Sequence, residues 1–411
     1  SERILGGLDM SFSEWREVKV SEIGKIVTGK TPKTAISENY GGNIPFLTPS
    51  DDMNIKKVKS TARTLSEMGL NSVKNCLLPA KSICVSCIGS DLGKVVLTSE
   101  PTVTNQQINS IVPDEKFDPD FIYYGMTILG KHLNYLSKTS TAVPIINKTT
   151  FSNFSIIVPS IEEQKAIAHI LSTLDDKIEV NNQINKTLEN MAQAIFKQWF
   201  VDFEFPNEDG EPYKSSGGEM VESELGMIPK GWEVVKLNSV VDICYGKNLP
   251  TKNLLSDGYP VFGGNGQIGF YSEYLYEKSQ VLIACRGAAS GKVIISLPYS
   301  FVTNNSLVLE QNGTSVTHEY LKQFCLENEF YNYATGSAQP QITIANLANA
   351  NILIPQRDLM NMFSLIRNSI DHEVLSLFNE NNKLVAIRDA LLPKLMSGEI
   401  RVSLDAEDDA S

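Results

Sequence analysis

Pro144-Ile-Ile-Asn-Lys-Thr149 and Ile156-Ile-Val-Pro159, with the helical run behind them, recur as Pro340-Gln-Ile-Thr-Ile-Ala345 and Ile352-Leu-Ile-Pro355 with a helical run of their own. From Pro144 to Phe200 and from Pro340 to Met396 the copies align without a gap at an offset of 196 residues. A unit of about 200 residues is far longer than a solenoid or propeller repeat, so the chain reads as a duplicated domain carrying a long helix. Working outward, Trp15 to Lys30 matches Trp232 to Lys247 at an offset of 217. Cys87-Ile-Gly-Ser-Asp-Leu-Gly-Lys-Val95 matches Cys285-Arg-Gly-Ala-Ala-Ser-Gly-Lys-Val293 at 198. The second copy is therefore 19 residues shorter between these motifs, a change that surface loops accept. Two similar, unequal halves make a pseudo-dimer in one chain, suited to an object with two unlike ends.

Each globular half alternates short β-rich runs with turn residues, as in Ser82–Ile88, Val95–Leu97, Gln280–Ala284 and Lys292–Ile295. Short helices are expected within Asp120–Leu136 and Glu319–Tyr333. The resulting fold class is α+β. Two similar mixed α/β domains, 12–159 and 231–355, are separated by long helices at 160–201 and 356–397, with an acidic linker at 202–230 and an acidic tail at 398–411. Along the first helix Ile167, Ile170, Leu174, Ile178, Asn181, Asn185, Leu188, Met191, Ile195 and Trp199 recur every three or four residues. Their counterparts are Phe363, Ile366, Ile370, Val374, Leu377, Asn381, Leu384, Ile387, Leu391 and Leu395. Such an a/d seam predicts a coiled-coil pair. Asn185 and Asn381 share one seam position and either fix register or face solvent. An internal pseudo-two-fold between the copies would run the helices antiparallel.

The net charge of −12 argues against a nucleic-acid partner until it is located. Residues 202–224 carry eight acids and one lysine, and residues 405–411 four acids and no base, which together account for −11. Both segments read as solvated spacer and tail. The remainder is near neutral and has room for a local basic face. No apolar run approaches the roughly 20 residues that span a bilayer, and Ser1-Glu-Arg-Ile-Leu-Gly-Gly7 lacks a signal-peptide pattern. Cysteines at 76, 84, 87, 244, 285 and 325 lack the dense pairing of a secreted scaffold, so a reducing cytoplasm is expected.

Catalytic patterns fail on inspection. Gly89-Ser-Asp-Leu-Gly-Lys94 and Gly287-Ala-Ala-Ser-Gly-Lys292 have three residues between the glycines where the P-loop has four, and valine follows the lysine. They read as turns, either structural or lifting a lysine toward a phosphate. Cys84-Val-Ser-Cys87 stands alone where zinc needs four ligands, and His132, His169, His318 and His372 form no metal pattern. Pro113-Asp114 with Glu163-Gln164-Lys165 matches a Mg²⁺-nuclease pattern short enough to arise by chance. The chain has no Pro-Pro, hence no Asn-Pro-Pro or Asp-Pro-Pro methyltransferase motif. No catalytic residue, metal or cofactor is expected in this chain.

Nucleic-acid signals are scattered. Lys56, Lys57, Lys59 and Arg63 form the densest basic cluster, a DNA contact or a solvated face. Lys30, Thr31 and Lys33 sit in a turn repeated as Lys247 and Lys252, and the Gly-Lys turns add Ser90, Lys94, Arg286 and Lys292. Asn105, Gln106, Asn304 and Asn305 supply amides of the kind that pair with adenine, and Gln339 and Gln341 a further polar turn.

From about Trp15 to Val402 the chain resembles the specificity subunit of a type I restriction–modification system. The resemblance rests on Val158-Pro-Ser-Ile-Glu-Glu-Gln-Lys-Ala-Ile167, on Phe200-Val-Asp-Phe-Glu-Phe-Pro-Asn-Glu-Asp-Gly-Glu-Pro-Tyr-Lys-Ser-Ser-Gly-Gly-Glu-Met220, on Ile228-Pro-Lys-Gly-Trp232 and on Leu391-Leu-Pro-Lys-Leu-Met-Ser-Gly-Glu-Ile400. Copy two departs at its helix entry, which reads Gln356-Arg357-Asp358 after the proline and lacks the Glu162-Glu163-Gln164 run of copy one. The resemblance implies two target-recognition domains, each reading half of a split site in double-stranded DNA, with the helices as a ruler. It also implies two docked modification (adenine-N6 methyltransferase) subunits and added restriction subunits, to which S-adenosylmethionine, ATP and Mg²⁺ would belong. Residues alike in both copies, such as Gly29, Lys30, Gly93 and Lys94, cannot distinguish two half-sites and should shape the fold or touch phosphate. Reading should fall where the copies differ, notably Pro32–Asn75 against Leu249–Tyr276. The rival expectations are a self-contained methyltransferase or nuclease and a non-catalytic coiled-coil protein scaffold.

Overall fold

The computed structural model describes residues 15–139, 145–311, 313, 315–336 and 339–402. Two compact units divide the chain, Ser1–Asn181 with Asn379–Ser411, and Asn182–Phe378. The boundary cuts across both long helices, where the sequence placed domain borders at their ends. Residues 1–14 and 403–411, which hold the expected acidic tail, lie outside the description, as does Pro144.

In the first unit β-branched and small residues are buried on both strand faces, which makes central strands. β1 (Gly24–Thr28), β2 (Lys57–Val58), β3 (Ile83–Ser86), β4 (Val95–Thr98) and β5 (Ile108–Pro113) form a sheet in the order β1-β5-β3-β4-β2. Helix α1 (Pro119–Thr139) buries Phe121, Ile122 and Tyr124 in the core that holds Ile83, Leu97 and Ile111. In the second unit β6 (Val241–Tyr245), β7 (Val281–Ala284), β8 (Val293–Ile295) and β9 (Ser306–Gln311) take the order β6-β9-β7-β8. Helix α2 (His318–Glu327) places Tyr320, Leu321 and Cys325 in the corresponding core. The registers repeat too: Ile26 faces Ile111 as Ile243 faces Leu309, and Ile83 faces Leu97 as Val281 faces Ile295.

The long helices span Ile161–Phe196 and Arg357–Ser397. Within the first unit Asp175 binds Arg388 at 2.9 Å and Asn181 binds Asn381 at 2.9 Å, so the segments run antiparallel there. Within the second, Glu189 binds Arg367 at 2.8 Å and Phe196 packs on Phe363, again antiparallel. Ile170, Leu174, Ile178, Leu188, Ile366, Val374 and Leu384 are half-buried, and Ile370 is buried. The seam departs from its expected course toward the flanks. Met191 and Ile387, equivalent in the two copies, are 50% and 48% exposed, while Leu171, Ala192, Arg367 and Leu392 are buried instead. A 3.5-residue repeat drifts around a 3.6-residue helix: Leu171 and Leu392 turn into the core of the first domain, while Arg367 turns to Glu189 of the other helix. Asn381 finds its partner in Asn181, not at a level shared with Asn185, whose Oδ1 is buried without a partner among the described residues.

The acidic linker is folded structure, not spacer. Met220–Ser223 pairs with Gly226–Pro229 as a hairpin, and Phe205 and Ile228 are buried in the second core. Phe205 stacks between Tyr213 at 4.5 Å and Trp232 at 5.3 Å. The acids mask an apolar stripe because charge is solvated outward while the interleaved rings turn in. Phe205→Ala is expected to cost about 3–5 kcal/mol, read as a lower denaturation midpoint; a spacer position would lose less than about 0.5 kcal/mol.

Candidate nucleic-acid interface

In each unit three turns meet beside the end of the central hairpin strand. In the first, the Cys87 amide donates to the Gln107 carbonyl (2.8 Å), Ile146 to Cys87 (3.0 Å) and Lys30 to Thr104 (2.9 Å). In the second, Cys285 donates to Asn305 (3.0 Å), Ile342 to Cys285 (3.0 Å) and Asn304 to Lys247 (3.1 Å). Gly29 and Gly246 permit this approach, because a Cβ on either would overlap the main chain of the facing turn. The Gly-Lys turns are welded in the same way. Gly93 (φ 87°) backs onto Gly130 and Gly291 (φ 89°) onto Tyr331, so both turns are structural where they face inward.

This gathers residues that are scattered along the sequence. The Thr31 hydroxyl donates to Gln106 Oε1 at 2.6 Å, which joins the Lys30 and Asn105–Gln106 turns. Arg286 forms an isolated bridge with Gln341, and the Gly287 amide donates to the Pro340 carbonyl at 3.0 Å. Lys30, Lys33 and Gln106 are exposed in the first unit; Lys247, Lys252, Arg286, Lys292, Asn305, Gln339 and Gln341 are exposed in the second, with Asn304 half-buried. The Lys292 ammonium donates to Asn265 Oδ1 at 2.7 Å. Asn265 was missed by sequence reasoning, although Gly263-Gly264-Asn265-Gly266 carries a turn signal. The rim thus presents cations suited to phosphate and amides and a guanidinium suited to base edges. At equivalent places it differs in chemistry: Ile88 and Ile145 in the first unit stand where the second has Arg286 and Gln341, and Ile145 is 68% exposed.

Several of the other candidate residues make contacts within the fold. The Lys56 side chain is 8% exposed, ion-paired to Asp120 at 2.7 Å and bonded to Ser172 at 2.7 Å, over the Tyr124 ring. Lys57 and Lys59, both about half exposed, pair with Asp176 and Glu179 of the first long helix. Burial, with the Asp175 carboxylate adding, pushes the Tyr124 pKa up and keeps its hydroxyl a donor to Asp175. Arg63 remains exposed, stacked on Tyr40 and Phe46. Asn105 turns inward and bonds both to the side chain and to the amide of Gln107. Lys94 is held by Asp91 at 2.8 Å. The Ser90 side chain lies outside the described residues.

Catalytic look-alikes resolve into structure as well. Glu163 of the nuclease-like pattern is buried and binds Arg401 at 2.8 Å. Cys84 and Cys87 enter different core clusters, and burial pushes the Cys84 pKa up to about 12, which disfavours the thiolate a metal needs. Among the described residues no group of three or more His, Cys, Asp or Glu could hold a metal, and no helix is long and apolar enough to cross a membrane.

The model for the type I restriction modification DNA specificity domain matches residues 12–190 and 229–372. The chain is 28% identical over 416 residues to the type I restriction enzyme MjaIX specificity subunit of Methanocaldococcus jannaschii, covering 95% of this chain and 94% of that one. It is 38% identical over 188 residues to the HindI specificity subunit of Haemophilus influenzae, covering 44% and 40%. The fold resembles a crystallised type I restriction–modification S subunit from M. genitalium, with a TM-score of 0.57 at 18% identity over 95% of this chain and 97% of that one.

Proposed function

Because the chain belongs to the family of type I restriction–modification specificity subunits, whose members are non-catalytic DNA-recognition subunits, we infer that each unit reads one half of a split site in double-stranded DNA. The observation that carries this reading is the same rim of turns built twice with different exposed side chains at equivalent positions. Shared Lys30 and Lys247 meet phosphate; Arg286 with Gln341, against Ile145 with Ile88, discriminate bases. An isoleucine offers apolar contact to a thymine methyl, and a guanidinium offers a fork to guanine.

The long helices act as the ruler, pairing antiparallel about a pseudo-two-fold. At 1.5 Å per residue they extend about 54 and 62 Å, an upper limit of roughly 17 base pairs between half-site centres. Reading from one face of the duplex favours about 10 base pairs. The helices also dock two modification subunits, which bring S-adenosylmethionine, and restriction subunits bring ATP and Mg²⁺ chemistry.

Single-molecule sequencing of adenine methylation, in cells carrying the cognate modification subunit with and without this chain, tests the reading. A split motif present only with the chain is expected. No change, with assembly verified, would sink it and favour a protein scaffold.

A further inference from the structure

The two units differ at one sheet edge. In the first, β2 pairs in parallel with the outer edge of β4, and the Leu97 amide donates to the Lys56 carbonyl at 2.7 Å. Lys57 and Lys59 continue onto Asp176 and Glu179, so a basic extended segment fills the space between sheet edge and helix. In the second unit β8 is the equivalent strand and, among the described residues, ends its sheet. The 19-residue shortening of the second copy falls between its Gly-Lys247 turn and this hairpin, the stretch that supplies β2 in the first copy.

Ladder alternation aims the bare edge outward. Ser296 donates to Gln280 at 3.0 Å and Ala284 to Lys292 at 2.9 Å, so the main-chain groups of Val293 and Ile295 point away from β7. Beside this edge lies a groove of about 1440 Å³, lined by Ile295 to Tyr299 on the sheet side and by His372, Leu375 and Phe378 on the helix side. His372 and Leu375 stand, at the offset of 196, where the first copy has Asp176 and Glu179. By the repeat, this is the place that β2 takes in the first unit.

We propose that this groove receives an extended basic segment of a partner protein, added to β8 as a further strand. Charge sets the chemistry of the occupant. Lys322 and Arg367 in the groove wall are held by Asp371 and Glu189. That leaves Lys278 against Glu277, Glu310 and Glu319, an excess of carboxylate that attracts cations and repels DNA. Phe378, 41% exposed, offers a local apolar contact to the face of such a strand turned toward the helix. An unpaired edge beside an open groove is the feature that strand addition uses.

Hydrogen exchange of the full chain, read by mass spectrometry on peptides carrying Val293–Ile295 and Val95–Thr98, is the first test. The Ile295 amide is expected to exchange about 100-fold faster than Leu97. Equal protection would mean that the chain covers its own edge, and concentration-dependent protection that a second copy does; either overturns the proposal. A synthetic peptide of residues 52–61 of this chain, Asp-Met-Asn-Ile-Lys-Lys-Val-Lys-Ser-Thr, then serves as the basic strand probe at millimolar concentration. It is expected to slow Ile295 exchange about tenfold or more. The slowing should vanish with Phe378→Lys plus Glu277→Lys, both at exposed positions, and with lysine-to-glutamate changes in the probe. No slowing, or slowing that survives either change, overturns it.

Discussion

Arg367→Ala is expected to cost the second unit about 3–5 kcal/mol of stability, a large share of what holds a domain together. The Arg367 side chain is 0% exposed, and its two terminal nitrogens reach Glu189 at 2.8 and 3.0 Å and Asp371 at 2.8 Å. Lys322 meets the same Asp371 carboxylate at 2.6 Å, and burial pulls the Lys322 pKa down. Removing the guanidinium leaves two partly exposed carboxylates facing one desolvated ammonium and empties the space of a fully buried side chain, so the loss exceeds the net worth of the ion pair. Trp199 and Trp232 belong to this core, so fluorescence-monitored denaturation reads the effect. Glu189 is 42% exposed on its side-chain surface, so Glu189→Gln should cost less, and a double-mutant cycle should return a coupling above about 1 kcal/mol. Arg367→Ala within 0.5 kcal/mol of wild type would mean that water reaches the site.

Arg286→Ala is expected to relax one half of the methylated motif and leave the other intact. Arg286 is exposed, is bridged to Gln341 and stands where the first copy has Ile88. A bidentate base contact is worth about 1–3 kcal/mol of discrimination, or roughly 5- to 150-fold in site preference. Lys247→Ala is the contrast. A phosphate contact shared by both copies carries no sequence information, so its loss should weaken binding to every site alike and flatten the salt dependence by about one unit of slope. Competition binding against duplexes varied in one half-site separates the two outcomes. If Arg286→Ala weakened all sites equally, Arg286 would be a backbone contact and the reading residues would lie elsewhere on the rim.

Much of the architecture was legible because it is periodic. The repeated strands, the two capping helices and the long amphipathic helices all fall where alternation and three-four spacing put them. The seam was legible at Ile370, which is buried, and at half-buried Leu174 and Ile178, and slipped near Met191 and Ile387, since heptad counting assumes that a helix faces one partner throughout. The candidate rim was legible only in part. The turns bearing Lys30, Gln106, Lys247, Arg286 and Gln341 were found singly, and Asn265 was missed because an asparagine among glycines signals a turn without naming its neighbours. For Lys57 and Lys59 the choice between a DNA contact and a solvated face was open in the sequence, because a basic run looks the same whether it faces phosphate or the acids of a helix more than a hundred residues away.

By itself the sequence determined that the chain is a duplicated α+β domain with two long helices, because the pattern of apolar residues at periods of two and about 3.6 is a local property written twice. Only the tertiary structure decided which charges are free. It sent the densest lysines into ion pairs, folded the acidic linker onto Trp232, and, among the described residues, left one sheet edge without the strand its counterpart carries. Those outcomes rest on pairings between distant residues, and the free energy of a charge or an edge is set by what folding brings against it.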